Sequence, residues 1–239
     1  MQTQPTKKRL ITLDYWRGLA AIAMFIYHFF AIFHFFGIFT VPYQTANNLS
    51  IILLESMGSF ARISFILLFA ISSQLTIHQN FRKKGYRLLK LLATSLIISL
   101  FTTIFTPDYA IHFGIFHFLT LATIIIYICQ YLKLPQYTIL FAGMLFYLLP
   151  ISDNQSTLAI IWGSSGSNSL DYFPLKNWLI IVGIGLIISN KLVELIKNST
   201  FAPKLNPNLL SKLGSNTFGF YFLHIAILIA LTQFILILS

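Results

Sequence analysis

The sequence predicts an all-α membrane protein, a polytopic helical bundle of about seven transmembrane helices with its N-terminus inside and its C-terminus outside. Two observations support this fold class. First, 56% of the 239 residues are hydrophobic and only 9% are charged, whereas a soluble domain carries about 25% charged residues. Second, the apolar runs are about 20 residues long, as in membrane helices, and not the ~10-residue alternating segments of a β-barrel. A soluble enzyme and a disordered chain are therefore excluded.

We predict a single transmembrane domain over residues 1–239, in which seven spans follow one another. The fifth span is the weakest, because its 15 residues are few for a helix that crosses a bilayer. Polar and glycine residues within 151–176 predict an outer loop, and two prolines within 197–212 break the helix between the last two spans. The predicted spans lie at 14–38, 53–77, 86–106, 111–132, 136–150, 177–196 and 214–238.

The basic residues predict the orientation of these spans. With the N-terminus in the cytoplasm, 14 of the 16 Lys and Arg residues lie on the cytoplasmic side, which is the usual bias of membrane proteins. The exceptions are Arg62, within the second span, and Lys176, in the outer loop. Without the fifth span, the four lysines of 191–212 would lie outside. The net charge of +10 is therefore a topology signal, and we expect a multi-pass protein of the cytoplasmic membrane with no nucleic-acid partner.

The first span carries the most informative polar residues, which are Asp14, Arg17, His28 and His34. Ionisable side chains inside a span are costly and point to function. Arg17 and His28 are eleven positions apart, which places them on one helix face and ~16 Å apart along the axis. Arg17 would lie at the cytoplasmic mouth and His28 near the middle of the membrane. His34 lies ~120° around the helix from His28 and need not share its site.

This geometry suits a long activated donor with an anionic head and a reactive end inside the membrane. A guanidinium can hold a phosphate, and a buried imidazole can act as a general base or as a transient acyl acceptor. A plainer interpretation makes Asp14 and Arg17 an i,i+3 ion pair that anchors the helix end. Taken alone, His28 is more often a hydrogen-bonded core histidine.

Three further residues lie nearer the predicted outer side. His117 opens the fourth span and faces either the same cavity or the core. Asp171 precedes the sixth span, where a helix cap is its plainer role and hydrogen bonding to an acceptor its functional one. Arg62 lies within a span and needs a partner, for which Glu55 and Asp171 are the options, or an anionic acceptor.

The segment 13–28, which reads LDYWRGLAAIAMFIYH, resembles the opening of the transmembrane acyltransferase superfamily. The ten residues between Arg17 and His28 make its spacing similar to the type-3 acyltransferase signature. After His224 the relatives often continue with Gln-Pro, where this chain has Ile225-Ala226, so we expect a structural role for His224. The rest of the chain more closely resembles the short bacterial relatives of heparan-α-glucosaminide N-acetyltransferase, in the segments 65–72, 113–117, 171–178 and 213–224.

The resemblance implies transfer of an acyl group, typically acetyl from acetyl-CoA, to a sugar or glycolipid on the outer side of the inner membrane. Acyl-CoA would be the co-substrate in this glycan modification, and no metal is expected. The acyl group, the acceptor and the oligomeric state, for which a homodimer is one option, are left open. The catalytic candidates are His28, His117 and Asp171. The candidates for binding CoA are Arg17, Lys83, Lys84 and Arg87. The candidates for binding the acceptor are Arg62, Asp171 and Trp178.

Two other function classes are weighed against an acyltransferase. Six histidines in a small bundle suggest bis-histidine haem ligation in a redox protein, for which His28 and His224 are the pair that would qualify. A small-molecule transporter would favour inverted repeats and broken helices, which the sequence does not show. The single Cys129 provides no disulfide framework and no cysteine-based zinc or iron–sulfur site.

Overall fold

The computed structural model describes residues 10–38, 49–77, 79–149, 157–163, 169, 171–198 and 208–238. Within these residues the regular structure is helical, with one turn of 3-10 helix at Pro107–Tyr109, and the predicted all-α membrane bundle is confirmed. The α-helices are α1 (Ile11–Phe35), α2 (Leu49–Leu75), α3 (Phe81–Phe105), α4 (Ile115–Tyr131), α5 (Tyr137–Leu148), α6 (Thr157–Trp162), α7 (Leu175–Asn198), α8 (Leu209–Ser215) and α9 (Thr217–Leu238).

Five of the described helices, α1, α2, α3, α7 and α9, are long and apolar enough to cross a membrane. The other two apolar helices are shorter, since α4 has 17 residues and α5 has 12. At 1.5 Å per residue they measure ~26 Å and ~18 Å, against a hydrocarbon core ~30 Å thick. Seven spans and an inside N-terminus stay predictions.

Two of the predicted spans differ from the helices at their beginnings. The fourth, at 111–132, becomes helical only at Ile115, because Gly114 has an extended backbone with φ −88° and ψ −172°. The last, at 214–238, is divided between α8 and α9 at Asn216, whose φ is −114° and ψ 22°. At Gly114 the apolar run continues through the start of the helix, so hydropathy alone does not mark the break. At Asn216 the break lies within the polar stretch 214–217.

Helix α8 sets the position of α9 beside α1. It begins at a reciprocal cap, in which the Asn208 side chain accepts the N–H of Ser211 at 3.0 Å and the Asn208 N–H donates to the Ser211 hydroxyl at 2.9 Å. It then crosses α1 so closely that a Cβ on Gly18 would collide with the backbone of Leu210, and a Cβ on Gly214 with that of α1. Small residues at such crossings are typical of membrane helices.

A similar crossing joins α5 to α7. A Cβ on Gly143 would lie 2.8 Å from the backbone N of Ile180, and a Cβ on Gly183 would lie 2.5 Å from the Cα of Leu140. The two helices therefore pack backbone to backbone in antiparallel directions. This crossing gives the short helix α5 a firm position in the bundle.

The connection between α3 and α4 returns into the bundle before α4 begins. Ser99 and Thr102, in the last two turns of α3, bind the backbone of Ile111, with Ser99 Oγ donating to its carbonyl at 2.5 Å and Thr102 Oγ1 accepting its N–H at 3.0 Å. The Phe113 carbonyl accepts the N–H of Phe173 at 3.0 Å. Irregular backbone inside a membrane bundle needs such internal partners. Because Ile111 is bound beside Ser99 and Thr102, the chain has already returned past the end of α3 when α4 begins at Ile115.

Candidate functional site

His28 on α1 faces His224 on α9 in the interior of the bundle. Nδ1 of His28 lies 2.9 Å from Nε2 of His224, and the two rings stack with their centroids 5.2 Å apart. Nδ1 of His224 lies 3.0 Å from the carbonyl oxygen of Phe220, one turn earlier on α9. Both side chains are buried. The two residues, called here the histidine pair, are therefore in direct hydrogen-bond contact.

Tyr221 connects the histidine pair to the loop that precedes α7. Its ring stands edge-on to both imidazoles, at 5.9 Å from His28 and 5.2 Å from His224 between centroids. Its hydroxyl donates to Oδ2 of Asp171 at 2.6 Å. The same carboxylate oxygen accepts the N–H of Ile115, the first residue of α4, at 3.0 Å.

Asp171 therefore caps α4, while the sequence had suggested a cap for the helix that follows it. The first N–H groups of a helix have no partner within the helix, and a buried carboxylate satisfies one of them while the helix dipole favours its charge. Burial raises the pKa of the Asp171 carboxyl, and the hydrogen bonds from Tyr221 and Ile115 act in the opposite direction. Gly114 makes room for this carboxylate, because a Cβ there would lie 2.9 Å from its Oδ2.

His117 lies in the first turn of α4 but faces α3. Its Nε2 is 3.1 Å from Oγ of Ser99, and its Nδ1 accepts the N–H of Gly114 at 3.3 Å. Because the Ser99 proton is donated to the Ile111 carbonyl, Ser99 acts as the acceptor for Nε2–H of His117. Both ring nitrogens are thus used to fix the backbone before α4.

A cavity of about 240 Å³ extends from Tyr221 to Arg17 and Arg87. Phenylalanine and leucine side chains of α2, α3, α4 and α9 form most of its wall. His28 does not line it, since Tyr221 lies between the cavity and the histidine pair. The polar residues that line it are Arg17, Ser72, Arg87, Thr217 and Tyr221.

A second cavity of about 510 Å³ shares Arg17 and Ser72 with the first and is lined also by Asp14 and Lys197. Arg17 lies at the junction, where NH1 donates to Asp14 Oδ1 at 2.6 Å and NH2 donates to Ser72 Oγ at 2.5 Å. The predicted i,i+3 ion pair is therefore present. The same arginine also lines both cavities, so the two interpretations of Arg17 are compatible.

Of the other basic residues predicted to bind CoA, only Arg87 lines either of these cavities. Its guanidinium donates to the hydroxyl of Ser73 at 3.1 Å and lies over the ring of Phe69. Lys84 turns to α4 and donates to the Gln130 side chain at 3.1 Å. Lys83 is exposed.

Lys90 was not singled out by the sequence, where it counted only as a topology charge. Its Nζ lies 4.2 Å from the ring centroid of Phe218, and Phe218 lines the smaller cavity. Lys90 is therefore a further cation beside the cavity wall. Its register is a signal that could have been used, since it lies three positions after Arg87 on the same helix.

Arg62 lies beside Tyr27, the residue before His28. Its guanidinium carbon is 5.5 Å from the Tyr27 ring centroid, its Nε donates to the Gly58 carbonyl at 3.2 Å, and its NH2 lies 3.7 Å from the Glu55 carboxylate. Of the two predicted partners, Glu55 is thus the one that forms an ion pair with it. The Arg62 side chain is 25% exposed.

The remaining candidates lie apart from the histidine pair. Trp178 packs against Phe173, with ring centroids 5.2 Å apart, and is half-buried at the start of α7. His34 occupies the last turn of α1, and His112 is exposed. The 2.9 Å contact in the histidine pair also disfavours haem, because bis-imidazole ligation would need an iron and a porphyrin plane between the two nitrogens.

The family model of the heparan-alpha-glucosaminide N-acetyltransferase catalytic domain matches residues 9–226. The chain belongs to this family. The match extends from the start of α1 past His224, so it contains the whole candidate site, and it confirms the family resemblance of the sequence. Comparisons with curated proteins and with solved structures gave no significant match. Family membership indicates a membrane acetyltransferase.

Proposed function

We propose that the protein transfers an acyl group, most simply acetyl, from cytoplasmic acyl-CoA to a sugar or glycolipid acceptor at the opposite side of the inner membrane. One observation carries this proposal. A largely apolar cavity leads from the guanidinium groups of Arg17 and Arg87 to Tyr221, whose ring packs against the buried histidine pair. Such a passage suits a molecule with an anionic head, a thin arm and a reactive end.

The donor would enter through the larger cavity. Its phosphate groups would meet Arg17, Arg87 and Lys197, and guanidinium groups bind phosphate oxygens in bidentate fashion. The pantetheine arm would follow the apolar wall of the smaller cavity. The thioester would then arrive at Tyr221, next to His28. This assignment explains why an arginine lies at the junction of the two cavities.

His28 would act as the general base. As the acceptor hydroxyl or amine attacks the thioester carbonyl carbon, His28 takes its proton, the C–S bond breaks and the CoA thiolate leaves. The proton then passes to the thiolate, so acyl acceptor and free CoA are formed and His28 returns to its starting state. A covalent acyl-histidine is the alternative route. For His117 we propose a structural role, because its two nitrogens already bind Ser99 of α3 and the N–H of Gly114.

The acceptor would approach from the side of Arg62, Asp171 and Trp178. Arg62 precedes Ser72 by ten residues on α2, which places it ~15 Å along the helix from the Arg17 end. Because His28 is ~16 Å from Arg17 along α1 and Arg62 lies over the ring of Tyr27, Arg62 is at about the depth of the histidine pair. A partly exposed guanidinium at this position suits an acceptor that carries a phosphate or a carboxylate.

Acetyl transfer in reconstituted vesicles tests the proposal, with labelled acetyl-CoA added to one face and a glucosamine-containing acceptor to the other. We expect labelled acceptor and free CoA. Arg17→Ala should weaken CoA binding, and Arg17→Lys should restore it only in part because the planar fork is lost. Arg82→Ala is the matched control, since Arg82 is exposed in the first turn of α3. Unchanged CoA affinity in Arg17→Ala would overturn the proposed binding site for the donor. A wild type that neither binds CoA nor acylates any acceptor would overturn the proposed acyltransferase activity.

The proposed direction of transfer depends on seven spans with the N-terminus inside, which the basic residues favour. Single cysteines in a Cys129→Ser background test it. One is placed at Asn80, before α3, and the other at Ser167, which lies outside the described part of the chain. We expect a membrane-impermeant thiol reagent to label them from opposite sides. Labelling of both from the same side would overturn this topology.

A further inference from the structure

The hydrogen bonds of the histidine pair allow its protons to be assigned. The carbonyl oxygen of Phe220 can only accept, so Nδ1 of His224, 3.0 Å away, must carry a proton. In a neutral imidazole the other nitrogen is then an acceptor. Nε2 of His224 therefore offers a lone pair to Nδ1 of His28 at 2.9 Å.

The pair is neutral because no carboxylate of the described residues forms an ion pair with either histidine. The rings that lie against it include those of Phe25, Tyr27, Phe220 and Tyr221. The carboxylate of Asp171 is engaged by Tyr221 and the α4 N-terminus. Burying an uncompensated charge is expensive. In a neutral His28 that donates from Nδ1, the proton is absent from Nε2.

We propose that His224 is a positioning residue that holds His28 in the tautomer whose Nε2 is free to accept a proton. The role of this tautomer in turnover rests on the proposed acyltransferase function, whereas the tautomer itself does not. His224 is suited to the task because its own helix fixes it, through the Phe220 carbonyl and through the Phe220 ring stacked on it at 5.3 Å.

The same contact supports the reaction after the proton has moved. When Nε2 of His28 takes the proton of the acceptor, the ring becomes an imidazolium with both nitrogens protonated. Its Nδ1–H already points at the lone pair of His224, so the hydrogen bond strengthens as the charge forms. His28 then returns the proton from Nε2 to the CoA thiolate, and His224 keeps its own proton throughout.

Two amide variants at position 224 separate this role from simple packing. A glutamine side chain can place its carbonyl oxygen near the position of Nε2, where it accepts from His28 and leaves the tautomer unchanged. An asparagine is too short to reach His28, although it can still bind the Phe220 carbonyl. We expect His224→Gln to keep kcat within about 10-fold, and His224→Asn and His224→Leu to lose ~10²-fold or more, with KM for acetyl-CoA unchanged in all three.

Nitrogen NMR of the reconstituted protein with labelled histidine gives a second readout that needs no activity. In the wild type we expect both His28 and His224 as Nδ1–H tautomers, each assigned by the signal that its own variant lacks. In His224→Leu the His28 ring should leave that tautomer, and in His224→Gln it should keep it. His34→Gln is the control, because it changes another face of α1 and should alter neither signal.

The outcomes separate the two proposals. An Nε2–H tautomer of His28 in the wild type, or an unchanged tautomer in His224→Leu, would overturn the positioning role, as would equal kcat in His224→Gln and His224→Asn. Should the wild type show the expected tautomers but transfer no acyl group, the positioning role stands and the proposed enzyme falls. Circular dichroism and a single elution peak identify variants that are folded.

Discussion

Two histidines of this bundle, His28, which is buried, and His117, which is half-buried, differ in what their nitrogens bind. His117, at the start of α4, has one nitrogen on Ser99 and the other on the Gly114 N–H. His28, on α1, has one nitrogen on His224, and its Nε2 has no hydrogen-bond partner within the described ranges. We call His117, whose two nitrogens both have hydrogen-bond partners, the closed histidine. We call His28, whose Nε2 has none within the described ranges, the open histidine.

The difference follows from the backbone around each histidine. His117 stands in the first turn of a helix, where backbone groups such as the Gly114 N–H need partners. His28 stands in the middle of a continuous helix whose backbone groups bind one another, so its side chain is free of that task. Only an imidazole with an open nitrogen can take a proton from a substrate. The comparison therefore separates a structural histidine from a catalytic candidate without reference to sequence motifs.

The largest expected effect on the rate of acetyl transfer comes from replacing His28, the open histidine. His28→Ala should lower the rate of acetyl transfer by ~10²–10⁴-fold, the usual loss when a general base is removed, while the protein stays folded. His34→Ala on the same helix should lose far less, because it lies on another face. The measurement is labelled acetyl transfer in vesicles. Wild-type turnover in His28→Ala, with turnover lost in His34→Ala or His224→Ala, would place the site elsewhere.

The same substitution at the closed histidine should act on stability instead. His117→Ala leaves the Gly114 N–H without its partner, at about 1–3 kcal/mol for a buried unsatisfied group. Ser99 loses one of its hydrogen bonds but still donates to the Ile111 carbonyl. We expect a lower thermal unfolding midpoint and a kcat per folded molecule within about 10-fold of the wild type. If the midpoint stays unchanged and kcat falls as far as in His28→Ala, His117 belongs to the catalytic machinery.

The sequence contains enough to predict the long helices and the face that Arg17 shares with His28. Hydropathy locates α1, α7 and α9 within a few residues, because a lipid-facing helix must be apolar over its whole length. Because ten residues separate Arg17 from His28, helix periodicity alone places both side chains on one face. The structure adds the cavity that leads from Arg17 to Tyr221, beside His28.

The contacts between helices could not be predicted from the sequence. That His224 meets His28 depends on α8 crossing α1 at Gly18, which hydropathy does not encode. That Asp171 caps α4 depends on how deeply α4 begins, and the continuous apolar run 111–132 hides the break at Gly114. Both are distances between segments far apart in the chain, and a single sequence constrains them only through patterns within each segment.

The smallest effect concerns Tyr221, which lies between the open histidine and the α4 cap. Tyr221→Phe removes the hydroxyl that donates to Asp171 at 2.6 Å, and a hydrogen bond to a charged group contributes about 1.5–3 kcal/mol. Tyr172→Phe is the matched control, because it removes a hydroxyl that donates to a backbone carbonyl, that of Ile160, at 2.7 Å, worth about 0.5–1.5 kcal/mol. We therefore expect both variants to melt earlier than the wild type, Tyr221→Phe by more.

Only Tyr221→Phe should also change catalysis, because Tyr221 lines the cavity and Tyr172 lines neither cavity. With its hydroxyl donated to Asp171, the Tyr221 oxygen still has lone pairs that can accept from the donor or the acceptor, and this contact is lost in the variant. Thermal unfolding and kcat measured on the same preparations distinguish the two effects. A drop in kcat of equal size in Tyr172→Phe would mean that lost stability alone explains both, and that Tyr221 does not link the cavity to the histidine pair.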